Sequence, residues 1–172
     1  MPREIERKFL LKNFNKKLIK PMYPCPEVIT QGYIISDEEI AVRIRSIKDC
    51  SYGVLCIKRA YNEFERSEIE ITIPHLNQVK SLMNMCSHVL KKSRVKVKVG
   101  KHIWDIDTFM GDNKGLVLAE VELKRVNEKF KWPTWVRPED EVTNSPFYLN
   151  CNLAKYPYKS GLLKIHPFDH EL

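Results

Sequence analysis

The chain has 172 residues, 43% of them hydrophobic and 30% charged, which fits one soluble domain with a sizeable core. Net charge is +7 and the pI is near 9.1, so the partners to consider are acidic: nucleic acid, anionic lipid or a phosphorylated metabolite. No apolar run opens the sequence and none reaches the roughly 18 residues of a membrane span, so neither a secretory signal nor a membrane association is expected.

Alternation of apolar and polar residues predicts strands over 3–11, 29–35, 40–47, 53–59, 65–73, 93–99, 102–108 and 116–123. Turn signals separate them: Ser36-Asp37, Lys48 through Ser51, Pro74, Gly100, and Gly111 through Gly115. A short helix is expected over Phe14–Ile19. After the fifth strand, Leu76, Val79, Leu82, Met83, Cys86 and Leu90 recur at helical spacing and predict an amphipathic helix, Leu76–Leu90, laid over the sheet. Residues 124–145, with Pro133 and Pro138, read as loop, and a second helix is expected from Pro146 to Leu153. The domain spans 1–156 in this reading, and 157–172 form a C-terminal tail expected to be partly disordered. Five scattered cysteines (Cys25, Cys50, Cys56, Cys86, Cys151) lack paired metal-ligand spacing and suit reduced thiols in a cytoplasmic protein.

Residues two apart on a strand share a face. On the first strand Glu4, Glu6 and Lys8 share one face, while Ile5 and Phe9 point the other way. Arg43 and Arg45 oppose Val42 and Ile44, and Lys58 opposes Leu55 and Ile57. Glu68 and Glu70 oppose Ile69 and Ile71; Arg94, Lys96 and Lys98 oppose three valines. Asp105 and Asp107 oppose Trp104 and Ile106, and Glu120 and Glu122 oppose Ala119 and Val121. A sheet with one wet face would show some such alternation. Same-sign pairs on neighbouring positions ask for more, because carboxylate pairs need a cation and arginine pairs need an anion. A barrel with charged faces turned inward, holding a metal ion and a polyphosphate, satisfies both. Its apolar faces then point outward and need cover, which the helix at Leu76–Leu90 would partly supply.

The segment Glu4-Ile5-Glu6-Arg7-Lys8-Phe9-Leu10 resembles the ExExK signature of the CYTH family, the triphosphate tunnel metalloenzymes. Further blocks follow in order: Gln31-Gly32-Tyr33, Val42-Arg43-Ile44-Arg45, Cys56-Ile57-Lys58 and Ser67-Glu68-Ile69-Glu70. Then come Lys92-Ser93-Arg94, Trp104-Asp105-Ile106-Asp107, Ala119-Glu120-Val121-Glu122 and Asn150-Cys151-Asn152-Leu153. The resemblance covers about residues 3–155 and is greatest to the short inorganic tripolyphosphatases. It implies a mostly β (α+β) fold, an eight-stranded antiparallel closed barrel with a charged interior and flanking helices.

The resemblance further implies a small-molecule triphosphate substrate and Mg2+ or Mn2+. It implies that Glu6, Glu120 and Glu122 hold one metal and that Glu4 positions the attacking water, alone or through a second metal with Glu68, Glu70 or Asp107 nearby. Lys8, Arg43, Arg45, Lys58 and Arg94 would bind phosphate, with Lys8, Arg43 and Lys58 also acting in catalysis. Lys92 is a further phosphate candidate, with Lys96 and Lys98 as competitors on the same face. Glu68 and Glu70 stay open between metal binding and charge balance, as Asp105 does between the tunnel mouth and a metal.

The five histidines, His75, His88, His102, His166 and His170, are expected at the surface, and Trp104, Trp132 and Trp135 in packing roles. Activity on thiamine triphosphate or a nucleoside triphosphate, and cyclisation of ATP, are alternatives on the same frame; a non-catalytic polyphosphate-binding module is another. A nucleic-acid-binding barrel is disfavoured, since carboxylates share faces with the basic residues and would repel a phosphate backbone. The protein is expected to act as a monomer or a homodimer.

Overall fold

The computed structural model describes residues 5–37, 39–60 and 66–160. Among these residues there are eight strands: β1 (Ile5–Leu10), β2 (Glu27–Ser36), β3 (Ile40–Ile47), β4 (Gly53–Ala60), β5 (Arg66–Ile73), β6 (His88–Val99), β7 (His102–Phe109) and β8 (Val117–Leu123). All pairings are antiparallel, in the order β1-β8-β7-β6-β2-β3-β4-β5. Two α-helices accompany them among the described residues, α1 (Leu76–Asn84) between β5 and β6 and α2 (Asn150–Lys155) after β8. Among the described residues no helix is long and apolar enough to cross a membrane.

The expected helix Leu76–Leu90 is cut short. It ends at Asn84, and His88 already opens β6, pairing with Tyr33 of β2. A spacing of four residues satisfies both helical and strand periods, so Cys86 and Leu90 continued the helical pattern by coincidence. Tertiary pairing decides between the two, and Leu90 becomes a buried strand residue. The short helix expected at Phe14–Ile19 is one 3-10 turn, Lys16–Leu18. The expected Pro146–Leu153 helix divides into a 3-10 turn, Pro146–Tyr148, and α2, which runs on to Lys155. Beyond Tyr156 a 3-10 turn, Tyr158–Ser160, is formed, and the rest of the tail lies outside the described residues.

The strand order differs from the expected closed barrel. β1 and β5 are the two edges, and no ladder joins them among the described residues. The free edge of β1 has another partner. The Lys8 N–H donates to Thr143 Oγ1 (3.1 Å), Val142 N–H donates to the Lys8 carbonyl (2.8 Å), and Phe9 bridges to Glu141. Those backbone groups are thus satisfied by segment 141–143, which takes the place a closing strand would occupy.

Apolar side chains of β1, β6, β7 and β8 point away from the charged face and form the main core: Phe9, Val97, Trp104, Ile106, Ala119 and Val121. The cover over this core is not a helix. It is mainly the loop after β8, whose Phe130, Trp135 and Val136 pack on it beside Phe14 and Ile19, with Trp132 edge-on to Phe9 and tilted against Phe130. Trp104 is fully buried there, as its assigned packing role requires. α1 lies over β2, β3 and β5 and closes on the sheet at Gly53. A Cβ at Gly53 would fall 2.8 Å from Val79 Cγ2 and 2.9 Å from the Arg45 carbonyl oxygen, so the helix reaches the sheet only because that position is glycine.

A second cluster lies on the inward face. Tyr33, Leu90, Phe109, Leu116 and Leu118 pack with Leu153 and Ala154 of α2. On β8 the same face carries Leu118, Glu120 and Glu122, so one end of the sheet's interior is apolar and the other charged.

Candidate active site

The inward faces of β1, β8, β7, β6, β3, β4 and β5 enclose a cavity of roughly 810 Å³. The two ends of the sheet meet around it, with Glu6 from β1 and Glu68 and Glu70 from β5 all in its wall. Acidic residues come from β1 and β8 (Glu6, Glu120, Glu122), with Asp105 from β7. Basic residues come from β3, β4 and β6: Arg43, Arg45, Lys58, Arg94 and Lys96.

On the acidic wall, strand register sets Glu6 opposite Glu122 and Lys8 opposite Glu120. Lys8 is buried beneath the wall. Its Nζ lies 3.1 Å from Glu120 Oε1 and 3.4 Å from Glu6 Oε1, and donates to the Tyr148 carbonyl. Burial pulls the Lys8 pKa down, but Glu120 and Glu6 outweigh it and the net shift is upward. The other oxygen of Glu120 accepts from Arg94 Nη2 at 2.9 Å. Two cations therefore fix the Glu120 carboxylate from opposite sides.

Arg94 is the hub of the floor. It also donates to Asp105 and, through two nitrogens, to Asp107 at 2.7 and 2.6 Å. Burial works against its charge, yet the hydrogen bonds and charges of Asp107, Glu120 and Asp105 raise its pKa. Asp107 and Lys92 lie below the cavity rather than on it. Lys92 Nζ donates to Asp107 Oδ2 at 2.5 Å and stands over the Phe109 ring, and both groups are almost wholly buried. Burial opposes the charge of Asp107, but Lys92 and Arg94 hold its carboxyl well below the usual carboxylate range. Burial pulls the Lys92 pKa down. Of the competitors for the phosphate role, Lys96 is in the cavity wall, tied to Asp105 at 2.9 Å, whereas Lys98 is exposed and outside it.

On the basic wall, Arg43 Nη2 lies 3.4 Å from Glu68 Oε1 and Lys58 Nζ 2.8 Å from Glu68 Oε2. Arg43 Nε is buried without a hydrogen-bond partner. No hydrogen bond or ion pair holds the Arg45 side chain among the described residues, and burial together with Arg43 and Arg94 lowers its pKa against the smaller opposing effect of Glu70. That is a cationic site short of negative charge. Ligand atoms of Cys56, Glu68 and Glu70 lie within 4.8 Å of one another. Burial and the bond it donates to Glu68 push the Cys56 thiol up to about 11, so it keeps its proton and serves Glu68 as a donor.

Of the residues singled out from the sequence, Glu6, Arg43, Arg45, Lys58, Glu68, Glu70, Arg94, Glu120 and Glu122 share the cavity. Lys8, Lys92 and Asp107 sit behind its wall, and Glu4 lies outside the described residues. The sequence reading did not single out the mouth, where Lys101, His102, Lys124 and Glu128 gather. Glu128 accepts from Lys101 (2.7 Å) and from the Lys124 N–H (2.7 Å), and its carboxylate lies 3.0 Å from His102 Nε2. Those bonds hold its pKa near 2. His102 is therefore not the surface histidine expected but a buried one paired with a carboxylate. Lys124 was legible in principle, since it continues the parity of Glu120 and Glu122.

The family profile described as CYTH domain matches residues 2–146. The chain is 38% identical over 162 residues to an inorganic triphosphatase of Acetivibrio thermocellus, covering 93% of this chain and 98% of that one. Among solved structures it is similar to a crystal structure described as an inorganic triphosphatase, with 26% identity, a TM-score of 0.62, and coverage of 90% of this chain and 95% of that one. A Pyrococcus horikoshii structure at 18% identity and a TM-score of 0.57, covering 81% of this chain and 94% of that one, shares the fold.

Proposed function

The chain belongs to the CYTH domain family, and from that premise we propose that it is a metal-dependent hydrolase converting inorganic tripolyphosphate to pyrophosphate and phosphate. The observation that carries this reading is Arg45, a cation in the cavity wall whose side chain no hydrogen bond or ion pair holds among the described residues, beside Arg43 and Arg94, whose charges outweigh that of Glu70 there. Three guanidiniums so placed suit the non-bridging oxygens of a polyphosphate, which they can grip bidentately.

The carboxylates of the opposite wall fit a hard divalent cation, since Glu6 and Glu122 face each other across one ladder and offer only oxygen donors. Glu6, Glu120 and Glu122 would hold it, as Mg2+ or Mn2+, and it would supply charge neutralisation and a more acidic water. Lys8 and Arg94 orient the two oxygens of Glu120. Lys58 and Arg43 are shared with Glu68, which balances their charge and yields them to phosphate; this favours the balancing role for Glu68. Lys92 and Asp107 support the floor by fixing Arg94 and need not touch substrate. Glu4 keeps its sequence-based role in positioning the attacking water. Among the described residues the wall holds no Phe, Tyr or Trp on which a base or thiazolium would stack, and its one ring, the His102 imidazole at the mouth, is paired with Glu128; this favours an inorganic substrate over thiamine or nucleoside triphosphates. Five free thiols suit a cytoplasmic setting.

The test is phosphate release from tripolyphosphate, thiamine triphosphate and ATP with Mg2+ or Mn2+, with and without chelator. Tripolyphosphate should be turned over fastest, chelator should stop it, and Arg45→Gln should lower kcat/KM by roughly a hundredfold, the scale of one lost charge-stabilising donor. Faster turnover of ATP or thiamine triphosphate would overturn the substrate. Tight tripolyphosphate binding without turnover would make the protein a binding module.

A further inference from the structure

We propose that Arg7 and Glu141 form a clasp on the outside of the sheet, and that Arg7 is a positioning residue for the carboxylate wall within it. The inference rests on the proposed function in one respect, the use of Glu6 as a metal ligand.

Arg7 lies between Glu6 and Lys8 but points the opposite way, with Ile5 and Phe9. A cation on the apolar face of a strand needs a reason. Its guanidinium carbon stands 5.4 Å from the Phe9 ring centroid, 5.2 Å from that of Phe130 and 5.6 Å from that of Trp132. Both arms of its fork meet Glu141: Nε donates to Oε1 at 2.8 Å and Nη2 donates to Oε2. This is the geometry for which arginine, and not lysine, is suited.

Glu141 passes the constraint on. Its Oε1 also accepts from the Thr143 hydroxyl at 2.6 Å, and Thr143 Oγ1 in turn accepts from the Lys8 N–H at 3.1 Å. Val142, between them, donates its N–H to the Lys8 carbonyl at 2.8 Å. The chain of contacts leaves β1 at Arg7 and returns to it at Lys8. It ties both backbone groups of Lys8 on the one edge of β1 that β8 does not pair.

An edge strand secured on one side only is free to fray and to twist its side chains. β1 contributes Glu6 to the cavity and Lys8 to the support of Glu120. Fixing the backbone from outside therefore fixes where the Glu6 carboxylate lies relative to Glu122. The arginines proposed to bind phosphate stand on β3 and β6; among the described residues none is bonded to β1 directly, and Arg94 meets it only through Glu120 and Lys8.

The clasp thus predicts a split. Arg7→Lys keeps the charge and loses the fork; Glu141→Gln keeps the shape and loses the charge. Each should weaken Mg2+ or Mn2+ binding by roughly tenfold in calorimetry, the low end of the effect of groups that orient metal ligands. The metal concentration for half-maximal rate should rise in step, while KM for tripolyphosphate moves less than twofold. Amide exchange at Lys8 and Phe9 should accelerate. The double variant should be no worse than either single one, because both act through one contact. Val79→Ala, which loosens α1 far from β1, serves as a stability control and should leave metal affinity unchanged. Metal affinity unchanged in both clasp variants, or weakened equally by Val79→Ala, overturns the positioning role. Unchanged exchange at Lys8 overturns the clasp itself, whatever the enzyme's substrate. Wild-type protein that binds no metal and leaves tripolyphosphate intact overturns the functional reading and the metal half of this proposal together.

Discussion

Glu6 and Glu122 stand directly opposite each other across the β1–β8 ladder, two carboxylates in the wall of one cavity. Like charges paired this way are destabilising, by about 0.2–1 kcal/mol. Glu122→Gln should therefore leave the metal-free protein as stable as the wild type or slightly more so, and remove most of the rise in Tm that Mg2+ or Mn2+ produces. Calorimetric melting with chelator and with metal checks both halves. A lower Tm in chelator would contradict the repulsion, and a full metal-induced rise would contradict the ligand role.

Asp107 and Lys92 form a buried ion pair beneath the cavity. Removing one member of such a pair leaves an uncompensated charge, at a loss of about 3–5 kcal/mol. Asp107→Asn should lose stability on this scale in urea unfolding, and adding Lys92→Met should recover part of it. A loss below 1 kcal/mol for Asp107→Asn would show that the pair is dispensable to the fold.

Acid should weaken the fold in a defined window. Glu128 has its pKa lowered from 4.5 to about 2 by bonds from Lys101, Lys124 and His102. A carboxylate depressed in the folded state binds fewer protons there than when unfolded, so its contribution is complete above the unfolded value and disappears as pH falls through the folded one. Stability should therefore decline from about pH 4.5 towards pH 2, with Asp107 adding to the loss at the acid end. Circular dichroism of wild type and Glu128→Gln across this range checks it, since the variant should lose less stability than the wild type between those values.

Gly53→Ala would place a methyl group against Val79 and the Arg45 carbonyl, both closer than 3.0 Å. Backbone cannot swing aside as a side chain can, so overpacking of about 1–3 kcal/mol is expected. Val79→Ala in the same chain should relieve part of it, and thermal melting of the single and double variants measures the coupling.

Thiol labelling should follow environment. Cys25 is exposed, whereas Cys56 is buried with its pKa pushed up to about 11. Alkylation near neutral pH, followed by mass spectrometry, should modify Cys25 first and leave Cys56 untouched while the fold is intact. Early modification of Cys56 would mean that it carries a thiolate.

The sequence by itself determined which side of each strand faces inward. Glu6, Arg43, Arg45, Lys58, Glu68, Arg94, Glu120 and Glu122 were readable because strand alternation is local: two residues restore the same face whatever the rest of the chain does. The tertiary structure decided everything that depends on register and curl. It set Lys92 and Asp107 beneath the cavity rather than in its wall, and ended α1 at Asn84 so that Leu90 could fill the interior of β6. It brought Glu128 to His102 from 26 residues away. It also gave the free edge of β1 to residues 141–143, where the sequence shows only a proline-bearing loop. A spacing of two fixes which face a side chain is on; which charge it meets there depends on strands far apart in the chain, and only folding brings them together.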